Sequence, residues 1–336
     1  MSRVVLVTGA AGEVGRRLVR RLASDGWRVR GLVLPGDPLG ARLAGTGAEI
    51  VEGDVRRPET LVAATMGVDT VLHLAAVILA RDPRDYETIN RQGTANLVAA
   101  AAGARVRHFV YVSSASVVYP RLTPYGRSKL DAERIVAATP EFAHTIVRPT
   151  LVYDETGGQE FMLFRKYVRR FPVVPFIGPG TALKRPVFSD DVVDGLARIA
   201  GNPVCFGKSY NLSGAEAIGL ADLGKLILRL EGAERPFLHL PVPLCRVVAA
   251  VMGRLMKDPP LTPYAIAGFT NDANLDCANA TRDFGYRPRG VREGLAGCLG
   301  RGAPTRSNDG LGAAAGPLNG HDGDPRTLGA AHGRTT

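Results

Sequence analysis

Cysteines are few in this sequence, and none of them is paired with another. The 336 residues include four, at positions 205, 245, 277 and 298, and no two form a C-x-x-C pair. A disulfide framework or a tetrahedral zinc site needs cysteines at closer, repeated spacings. We therefore predict no metal site and expect a reduced, cytoplasmic setting.

Long apolar runs are also missing. No stretch approaches the roughly 18 consecutive apolar residues that indicate a membrane span. The run Val4–Val7 is too short for a signal peptide and leads directly into a glycine motif. The sequence therefore predicts no integral membrane span.

Signatures of nucleic-acid binding are absent too. The formal net charge of +10 favours anionic partners. However, the chain has no zinc-finger spacing, no RNA-binding aromatic motif and no long run of lysine and arginine. We expect a small-molecule substrate and no nucleic-acid partner.

What the chain does contain is a regular alternation of strands and helices. Six segments read as buried strands separated by amphipathic helices: "RVVLVTG", "WRVRGLVL", "AEIVEGDV", "VDTVLHLAA", "VRHFVYVSS" and "FAHTIVRPTLVY". Such alternation implies a parallel sheet covered by helices on both faces. The predicted fold class is α/β, a doubly wound parallel sheet with a smaller, mixed C-terminal region.

The pattern becomes irregular after about Tyr153, which sets the predicted boundaries. We predict one domain over 1–155 with return segments near 182–212, and a substrate-binding region over 156–181 and 213–300. An apolar stripe of helical spacing from Leu244 to Met256 is expected to pack on the core or line a pocket rather than lie on a membrane. The glycine-rich segment 301–336 is predicted to be disordered.

A glycine motif lies between the first strand and the first helix. "TGAAGEVG" places Gly9, Gly12 and Gly15 where a tight turn would let the backbone approach a pyrophosphate. The N-terminus of the following helix would offer free N–H groups and a positive dipole to the phosphates. The first domain is therefore predicted to be a dinucleotide-binding domain of Rossmann type.

Tyr125 and Lys129 are the first candidates for catalysis. They lie four residues apart on a predicted helix and so share one face. A tyrosine with its ordinary pKa of about 10 is a poor acid–base group at neutral pH. A neighbouring ammonium group is expected to lower that pKa.

A serine at the end of the preceding strand is the third candidate. The segment "VYVSSASVVYP" resembles that of hydroxysteroid-dehydrogenase-like enzymes and sugar epimerases, and against their pattern, counting from the start of the strand selects Ser114, whereas counting back from Tyr119 selects Ala115. We predict Ser114 as the catalytic hydroxyl, with Ser113 in a supporting role. Only a short loop separates Ser114 from Tyr125, which predicts an open substrate mouth on that side.

Together these motifs resemble the extended short-chain dehydrogenases/reductases, the NAD-dependent epimerase/dehydratase family. The resemblance rests on "TGAAGEVG", "EGDV", "HLAA", "INRQGTANL", the Tyr-x-x-x-Lys pair and "RPTLVY", and covers residues 1 to about 295. It implies catalysis by Ser114, Tyr125 and Lys129. It implies cofactor contacts by Gly9, Ala11, Gly12, Glu13, Val14, Gly15, Asp54, Val55, Leu74, Ala75, Ala76, Asn90, Tyr125, Lys129 and Pro149.

The resemblance also implies a function. The leading prediction is an NAD(P)-dependent oxidoreductase or epimerase acting on a nucleotide sugar, with Arg185 near its diphosphate. One alternative is an oxidoreductase similar to 3-beta-hydroxysteroid dehydrogenases, and another is a non-catalytic, cofactor-bound structural or regulatory subunit. A homodimer formed through the helices at 86–102 and 125–138 is a family expectation.

The choice of cofactor depends on the residues after the second strand. Val33 and Leu34 occupy the expected selecting positions, and Asp37 comes slightly late. An acidic residue there favours NAD, and an arginine favours NADP. Because no basic residue follows the strand directly, NAD is predicted, with NADP left open.

Overall fold

The computed structural model describes residues 3–256, 259 and 261–299. The disorder predicted for residues 301–336 falls outside the described residues. The strands over the described part are β1 (Val4–Thr8), β2 (Arg28–Val33), β3 (Glu49–Glu52), β4 (Thr70–His73), β5 (His108–Val112), β6 (Ala143–Pro149), β7 (Val152–Tyr153), β8 (Val174–Ile177), β9 (Leu183–Lys184), β10 (Val187–Phe188), β11 (Lys208–Leu212), β12 (Ile218–Gly219) and β13 (Phe237–Leu240).

The helices alternate with the strands in the first half and dominate the second. The α-helices are α1 (Glu13–Ser24), α2 (Pro58–Thr65), α3 (Gly93–Gly103), α4 (Pro124–Ala137), α5 (Gln159–Arg170), α6 (Ser189–Ile199), α7 (Leu220–Leu230), α8 (Val242–Leu255), α9 (Pro263–Thr270), α10 (Ala278–Phe284) and α11 (Val291–Leu299). Short 3₁₀ helices cover Pro38–Leu43, Ala115–Val118 and Pro203–Cys205, and a π-helical stretch, Tyr86–Gln92, leads into α3.

Seven parallel strands form the central sheet in the order β11-β6-β5-β4-β1-β2-β3. This confirms the predicted α/β fold with a doubly wound parallel sheet. Both neighbours of β1 come later in the chain, so the strand order reverses direction at β1. In sheets of this kind, ligands bind in the crevice at the carboxyl ends of the strands beside that reversal.

Each face of the sheet is covered by its own set of helices. On one face, α1 and α6 contribute Leu18, Leu22 and Leu196 to a core that also contains Val5 and other sheet residues. On the other face, helices α2, α3 and α4 pack against the sheet in a separate core. Strands buried on both sides read as continuous apolar runs, which is why the sequence pattern identified them.

The later part of the chain builds a third core. Phe161 and Val168 of α5 pack with Phe176 of β8, Ile227 of α7 and Leu295 of α11. Between these elements, β11 returns to the central sheet and pairs with β6. The domain boundaries drawn from the sequence stay predictions.

The apolar stripe on α8 is where the expectation of core packing was wrong. Cys245 and Ala249 are the buried residues of this helix, and they pack with Ile177 and Ile266. The larger apolar residues of the stripe face solvent: Leu244, Val247, Val248, Val251, Leu255 and Met256. Small side chains make the inward contact, so the bulky ones remain on the surface.

Candidate active site

The glycine loop brings two strand ends into close contact. Gly9 adopts a positive φ of 66°, and a Cβ placed there would lie 2.9 Å from the backbone nitrogen of Ala75. Only glycine fits this approach without strain. The first N–H groups of α1, which begins after Gly12, have no partners within the helix. The loop and helix end therefore fit the pyrophosphate of a dinucleotide.

The predicted cofactor residues follow the carboxyl ends of several neighbouring strands. Asp54 and Val55 follow β3, Pro149 ends β6, and the segment Leu74–Ala76 follows β4. The glycine loop, with Ala11, Glu13 and Val14, follows β1. Since these strand ends share one edge of the sheet, the fold places the predicted residues around a single crevice. Their individual roles stay predictions.

Asp54 is held by a neighbouring arginine. The Arg56 side chain donates to both carboxylate oxygens, with a distance of 2.6 Å from Nη2 to Oδ2. Burial acts to raise the Asp54 pKa, but the bonds from Arg56 outweigh it, and the net pKa is lowered. Asp54 therefore stays ionised and is held in a fixed position after β3.

A chain of buried hydrogen bonds connects the glycine loop with the helices behind the crevice. The Ala75 N–H donates to Thr8 Oγ1 (3.1 Å), which lies 2.7 Å from His73 Nδ1. His73 Nε2 lies 3.0 Å from Thr94 Oγ1, and the Thr94 hydroxyl donates to the Asn90 carbonyl oxygen. Because Thr94 donates onward, it accepts from His73, so the proton is on Nε2 and Nδ1 accepts from Thr8.

His73 is therefore neutral in the folded protein. Its side chain is completely buried, and burial, aided by the charge of Lys129, lowers its pKa to about 3. A neutral imidazole has one donor and one acceptor, as this chain of bonds requires. The sequence assigned no role to His73, and the structure shows that it links the end of β1 to α3.

Asn90 continues the network to the catalytic helix. Its side chain exchanges two hydrogen bonds with the backbone of Val77 and donates to Ser128 Oγ at 3.1 Å. Ser128 in turn donates to the backbone carbonyl oxygen of Tyr125 at 2.8 Å. The loop after β4 is thus fixed at Ala75 and at Val77, next to the first turn of α4.

Tyr125 lies in the first turn of α4. Thr123 caps this helix by accepting from the Gly126 N–H at 3.0 Å, and Pro124 starts it. A Cβ on Gly126 would lie 2.8 Å from the carbonyl oxygen of Ser116. The missing side chain lets α4 approach the 3₁₀ helix after β5, which brings Tyr125 next to Ser114.

The Tyr125 hydroxyl carries its proton in this structure. Burial is the main cause of a raised pKa, the nearby Glu160 carboxylate raises it further, and the Ser114 side chain acts to lower it. The sequence predicted that Lys129 would lower the Tyr125 pKa, but in this structure the net pKa of Tyr125 is raised. The Lys129 ammonium is turned towards the end of β5, where Nζ donates to the Val112 carbonyl oxygen at 2.6 Å.

Lys129 is itself strongly affected by its surroundings. Its Nζ lies 4.3 Å from the centre of the Tyr111 ring, and burial lowers its pKa to about 7. Glu133, one turn further along α4, acts in the opposite direction. Arg148 holds Glu133 with two hydrogen bonds of 2.8 and 2.6 Å. Lys129 is thus poised to change charge near neutral pH.

Ser114 is positioned by its own hydrogen bonds. It caps the 3₁₀ helix Ala115–Val118, and its Oγ accepts from the backbone N–H of Ser116 and lies 3.0 Å from Ser116 Oγ. Ser113 is buried within the fold, and Ala115 is only 4% exposed. Of the two positions weighed from the sequence, Ser114 is the one beside the Tyr125 hydroxyl.

Two charged residues of the cleft were not identified from the sequence. Glu160 lies in the first turn of α5 near Tyr125 and is exposed to solvent, and partial desolvation in the cleft raises its pKa. Lys184 ends β9, 5.7 Å from the centre of the Tyr119 ring, and burial lowers its pKa to about 8. Neither residue forms an ion pair with another described residue. Their sequence contexts carry no motif that could have revealed them.

Arg185, selected from the sequence as a diphosphate ligand, is occupied within the protein. Its side chain donates to Asn274 Oδ1 at 2.6 Å and to the Ala215 carbonyl oxygen at 2.9 Å. Neighbouring residues of an extended segment point in opposite directions. Lys184 therefore lies near Tyr119, where its Nζ also donates to the Asn271 carbonyl oxygen at 2.6 Å, while Arg185 is turned to Asn274 and Ala215.

An open groove of about 1000 Å³ lies along α5. Leu79, Met162 and Leu163 supply apolar surface, and basic residues, including Lys166 and Arg170, also line the groove. The loop carrying Leu79 is anchored near Tyr125.

The anchor is Tyr86. Its hydroxyl donates to the Ile78 carbonyl oxygen at 3.1 Å and accepts from the Ala80 N–H at 3.2 Å. The rings of Tyr86 and Tyr125 are 6.1 Å apart. The groove therefore starts beside the catalytic cleft.

A basic residue also lies near the start of α1. Arg42, in the 3₁₀ helix after β2, reaches Glu13 with 3.1 Å between Nη1 and Oε1, and Arg16 binds the other carboxylate oxygen at 2.8 Å. Asp37, considered from the sequence, instead caps that 3₁₀ helix through the Leu39 N–H. The sequence argument missed Arg42 because it comes nine residues after β2 ends.

Comparison with known proteins gives a consistent result. The model of the NAD dependent epimerase/dehydratase family matches residues 5–213. A ceramide reductase from Caulobacter vibrioides is 35% identical over 201 residues, which are 60% of this chain and 62% of that relative, less than two thirds of its length. A 3 beta-hydroxysteroid dehydrogenase/Delta 5-->4-isomerase from Mycobacterium tuberculosis is 28% identical and covers 88% of this chain and 89% of the relative.

A solved structure shares the fold over most of the chain. MoeE5 in complex with UDP-glucuronic acid and NAD superimposes with a TM-score of 0.66 and 26% identity. The match covers 87% of this chain and 96% of that protein.

Proposed function

Because this chain belongs to the NAD dependent epimerase/dehydratase family, we propose that it is an NAD(P)-dependent oxidoreductase acting on a hydroxyl or carbonyl group of a lipid-like substrate. The observation that carries the substrate class is the groove on α5, whose apolar surface includes Leu79, in the loop that Tyr86 anchors; the Tyr86 ring lies 6.1 Å from that of Tyr125. Two relatives are named for a ceramide and for a hydroxysteroid, which supports the same class.

The proposed chemistry assigns one role to each catalytic residue. A bound nicotinamide cofactor supplies or accepts the hydride. Tyr125, protonated at neutral pH, donates its proton to the substrate oxygen during reduction and takes it back during oxidation. The Ser114 hydroxyl holds the same oxygen. Lys129, with a pKa of about 7, is proposed to hold the cofactor ribose and to favour the tyrosinate when that forms.

The cofactor is proposed to lie along the crevice from Asp54 to Pro149. The backbone from Gly9 to Gly15 would hold its phosphates, and Asp54 would accept from its adenine. Val55, Asn90 and Leu74–Ala76 would form the walls. NAD is proposed first, because the Glu13 carboxylate lies beside Arg42 and would repel an additional phosphate.

A nucleotide sugar is the second candidate substrate, and epimerisation is the reaction that would go with it. It is favoured by the similarity to MoeE5, whose structure holds UDP-glucuronic acid, and by Lys184, whose ammonium could meet a phosphate in the cleft. Under this alternative, Arg185 would have to leave Asn274 to reach a diphosphate.

Turnover measurements on the purified full chain separate the candidates. We would follow cofactor absorbance with NADH and NADPH and a panel containing a long-chain ceramide-type ketone, a ketosteroid, UDP-glucose and UDP-glucuronic acid. Corresponding alcohols with NAD and NADP would test the reverse direction. We expect turnover with a lipid-like compound and none with the nucleotide sugars.

A variant in the groove makes this test specific. Leu163→Asp places a charge on the apolar surface and should raise KM for the lipid-like substrate at least tenfold, with little change in kcat. Val173→Asp, at another exposed apolar residue, is the matched control. Turnover of UDP-glucose alone, unaffected by Leu163→Asp, would contradict the proposed substrate class. A protein that binds NAD(H) and turns over nothing would instead support the non-catalytic alternative.

A further inference from the structure

Helix α8 presents a continuous apolar face to solvent. The residues of this face repeat at intervals of three and four, as one stripe of a helix does: Leu244, Val247, Val248, Val251 and Leu255. Val247 is 62% exposed and Leu255 is 80% exposed. The inward side of the same helix is made by Cys245 and Ala249, so the exposed stripe is not needed for packing.

The charges of α8 are all of one sign. Its 14 residues contain Arg246 and Arg254 and no aspartate or glutamate. Both arginines are exposed, and neither forms an ion pair within the described part of the chain. At 100° per residue, Arg254 falls at the edge of the apolar stripe next to Val247, whereas Arg246 falls on the far side of the helix. The apolar face is therefore bordered on one side by the uncompensated positive charge of Arg254.

An exposed aromatic residue lies on the neighbouring helix. Tyr264, near the start of α9, is 54% exposed. Ile266, two residues later, packs against Cys245 and Ala249, which joins α9 to α8. Tyrosine side chains favour the boundary between water and hydrocarbon, because the ring is apolar and the hydroxyl is polar.

From this combination we propose that the exposed face of α8 docks on an anionic phospholipid surface. An amphipathic helix with a basic border lies in the plane of a membrane, with its apolar side chains among the acyl chains and its basic side chains at the phosphates. Spanning a bilayer needs about 20 residues, more than α8 has. No helix in the described ranges is both long and apolar enough to cross a membrane.

Charge argues for lipid over a second copy of this chain. A symmetric dimer through the apolar face of α8 would bring Arg254 of both copies into one interface, and α8 would contribute no acidic residue to balance them. An anionic lipid surface offers a phosphate to Arg254 and hydrocarbon to the stripe beside it. An anionic lipid surface thus matches both the apolar stripe of α8 and the positive charge beside it.

Vesicle co-sedimentation of the full chain tests the docking directly. The probes are vesicles of phosphatidylcholine alone and of phosphatidylcholine mixed with phosphatidylglycerol. We expect binding to the mixed vesicles, at least tenfold weaker binding to phosphatidylcholine alone, and a loss of affinity as salt is raised. The measurement needs no substrate or cofactor, so its outcome is independent of the proposed enzymatic function.

Matched variants locate the surface. Val247→Asp combined with Val251→Asp should weaken binding to the mixed vesicles at least tenfold, because two charges would enter the hydrocarbon. Val62→Asp, an equally exposed valine on α2, is the control and should bind as the unchanged protein does. Arg254→Glu should remove the preference for phosphatidylglycerol.

Three outcomes would overturn the proposal. The first is no binding to either vesicle, and the second is binding that the α8 variants leave unchanged. The third is found by size-exclusion chromatography without lipid: if the valine variants convert a dimer to a monomer, the face is an interface between two copies. Circular dichroism and thermal unfolding of each variant confirm that the exposed substitutions leave the fold intact.

Discussion

The crevice around the glycine loop and the later wall of the cleft, which contains Glu160 and Lys184, differ in how their buried and charged groups are paired. In the crevice, the buried polar groups of Thr8, His73, Thr94 and Asn90 satisfy one another through a directed chain of hydrogen bonds. On the later wall, Glu160 has no ion-pair partner within the described residues. This chain of hydrogen bonds is complete before any ligand arrives, whereas the wall leaves charge and apolar surface for ligands to meet.

The difference follows from what each side must do. A cofactor needs a fixed backbone approach, and the positive φ of Gly9 provides it only if the facing loop is held in place. A substrate site can leave groups open, because the substrate itself supplies the compensating contacts. Changes in the crevice should therefore alter stability, and changes on the later wall should alter mainly substrate binding.

The largest expected effect concerns the residue at which the two regions meet. Tyr125→Phe removes the proton that the substrate oxygen requires, so kcat should fall about 10³-fold. Cofactor affinity and the melting temperature should stay close to those of the unchanged protein, since only one hydroxyl is lost. Steady-state kinetics with the substrate found in the turnover panel and fluorescence titration with NADH make the two measurements.

Tyr119→Phe is the matched control, because this phenol lies in the same cluster and burial raises its pKa as it does that of Tyr125. It should lower kcat by less than about tenfold, well below the contribution of a general acid. Equal losses in the two variants would show that Tyr125 has no special role.

The next effect is one of stability and is specific to the crevice. His73→Gln breaks the buried chain and should lower the free energy of unfolding by about 2–3 kcal/mol at pH 7. The imidazole has a pKa of about 3 when folded and about 6.5 when unfolded. Its unfolded form thus binds more protons between these values, so the unchanged protein loses stability as the pH falls below about 6.5.

The variant lacks this proton uptake. The difference in free energy of unfolding between the unchanged protein and the variant should therefore narrow by about 2 kcal/mol from pH 7 to pH 5. Urea unfolding at both pH values measures this difference. His144→Gln, at a partly exposed histidine, is the control and should leave both values almost unchanged. A constant difference for His73→Gln would mean that this histidine is not held neutral.

The smallest effect concerns cofactor choice. Glu13→Gln removes the carboxylate that occupies Arg42 and Arg16, so both arginines become available to an additional phosphate. The ratio of kcat/KM for NADP to that for NAD should rise about tenfold, which corresponds to roughly 1.4 kcal/mol. Glu59→Gln, in the first turn of α2, is the control. An unchanged ratio would place Arg42 away from the cofactor ribose.

Much of the first region could be predicted because its physical requirements are local. A strand buried on both faces must be apolar along its length, and a close backbone approach requires glycine. Periodicity and the T-G-x-x-G-x-x-G spacing therefore predicted the sheet and the crevice. The spacing of Tyr125 and Lys129 likewise placed both on one helix, α4.

The later region depended on contacts that no local pattern records. The sequence selected Arg185, but strand alternation turns Lys184 towards Tyr119. The α8 stripe has the same spacing whether it is buried or exposed, and only the packing of Cys245 and Ala249 decided which side faces inward.

The sequence by itself thus determined the α/β fold, the dinucleotide crevice and the Tyr125–Lys129 pair, since each depends on residues close together in the chain. Tertiary structure alone decided the protonation of His73 and the lowered pKa of Lys129. Those properties depend on burial and on partners brought from distant segments, because desolvation and electrostatic interaction act through space.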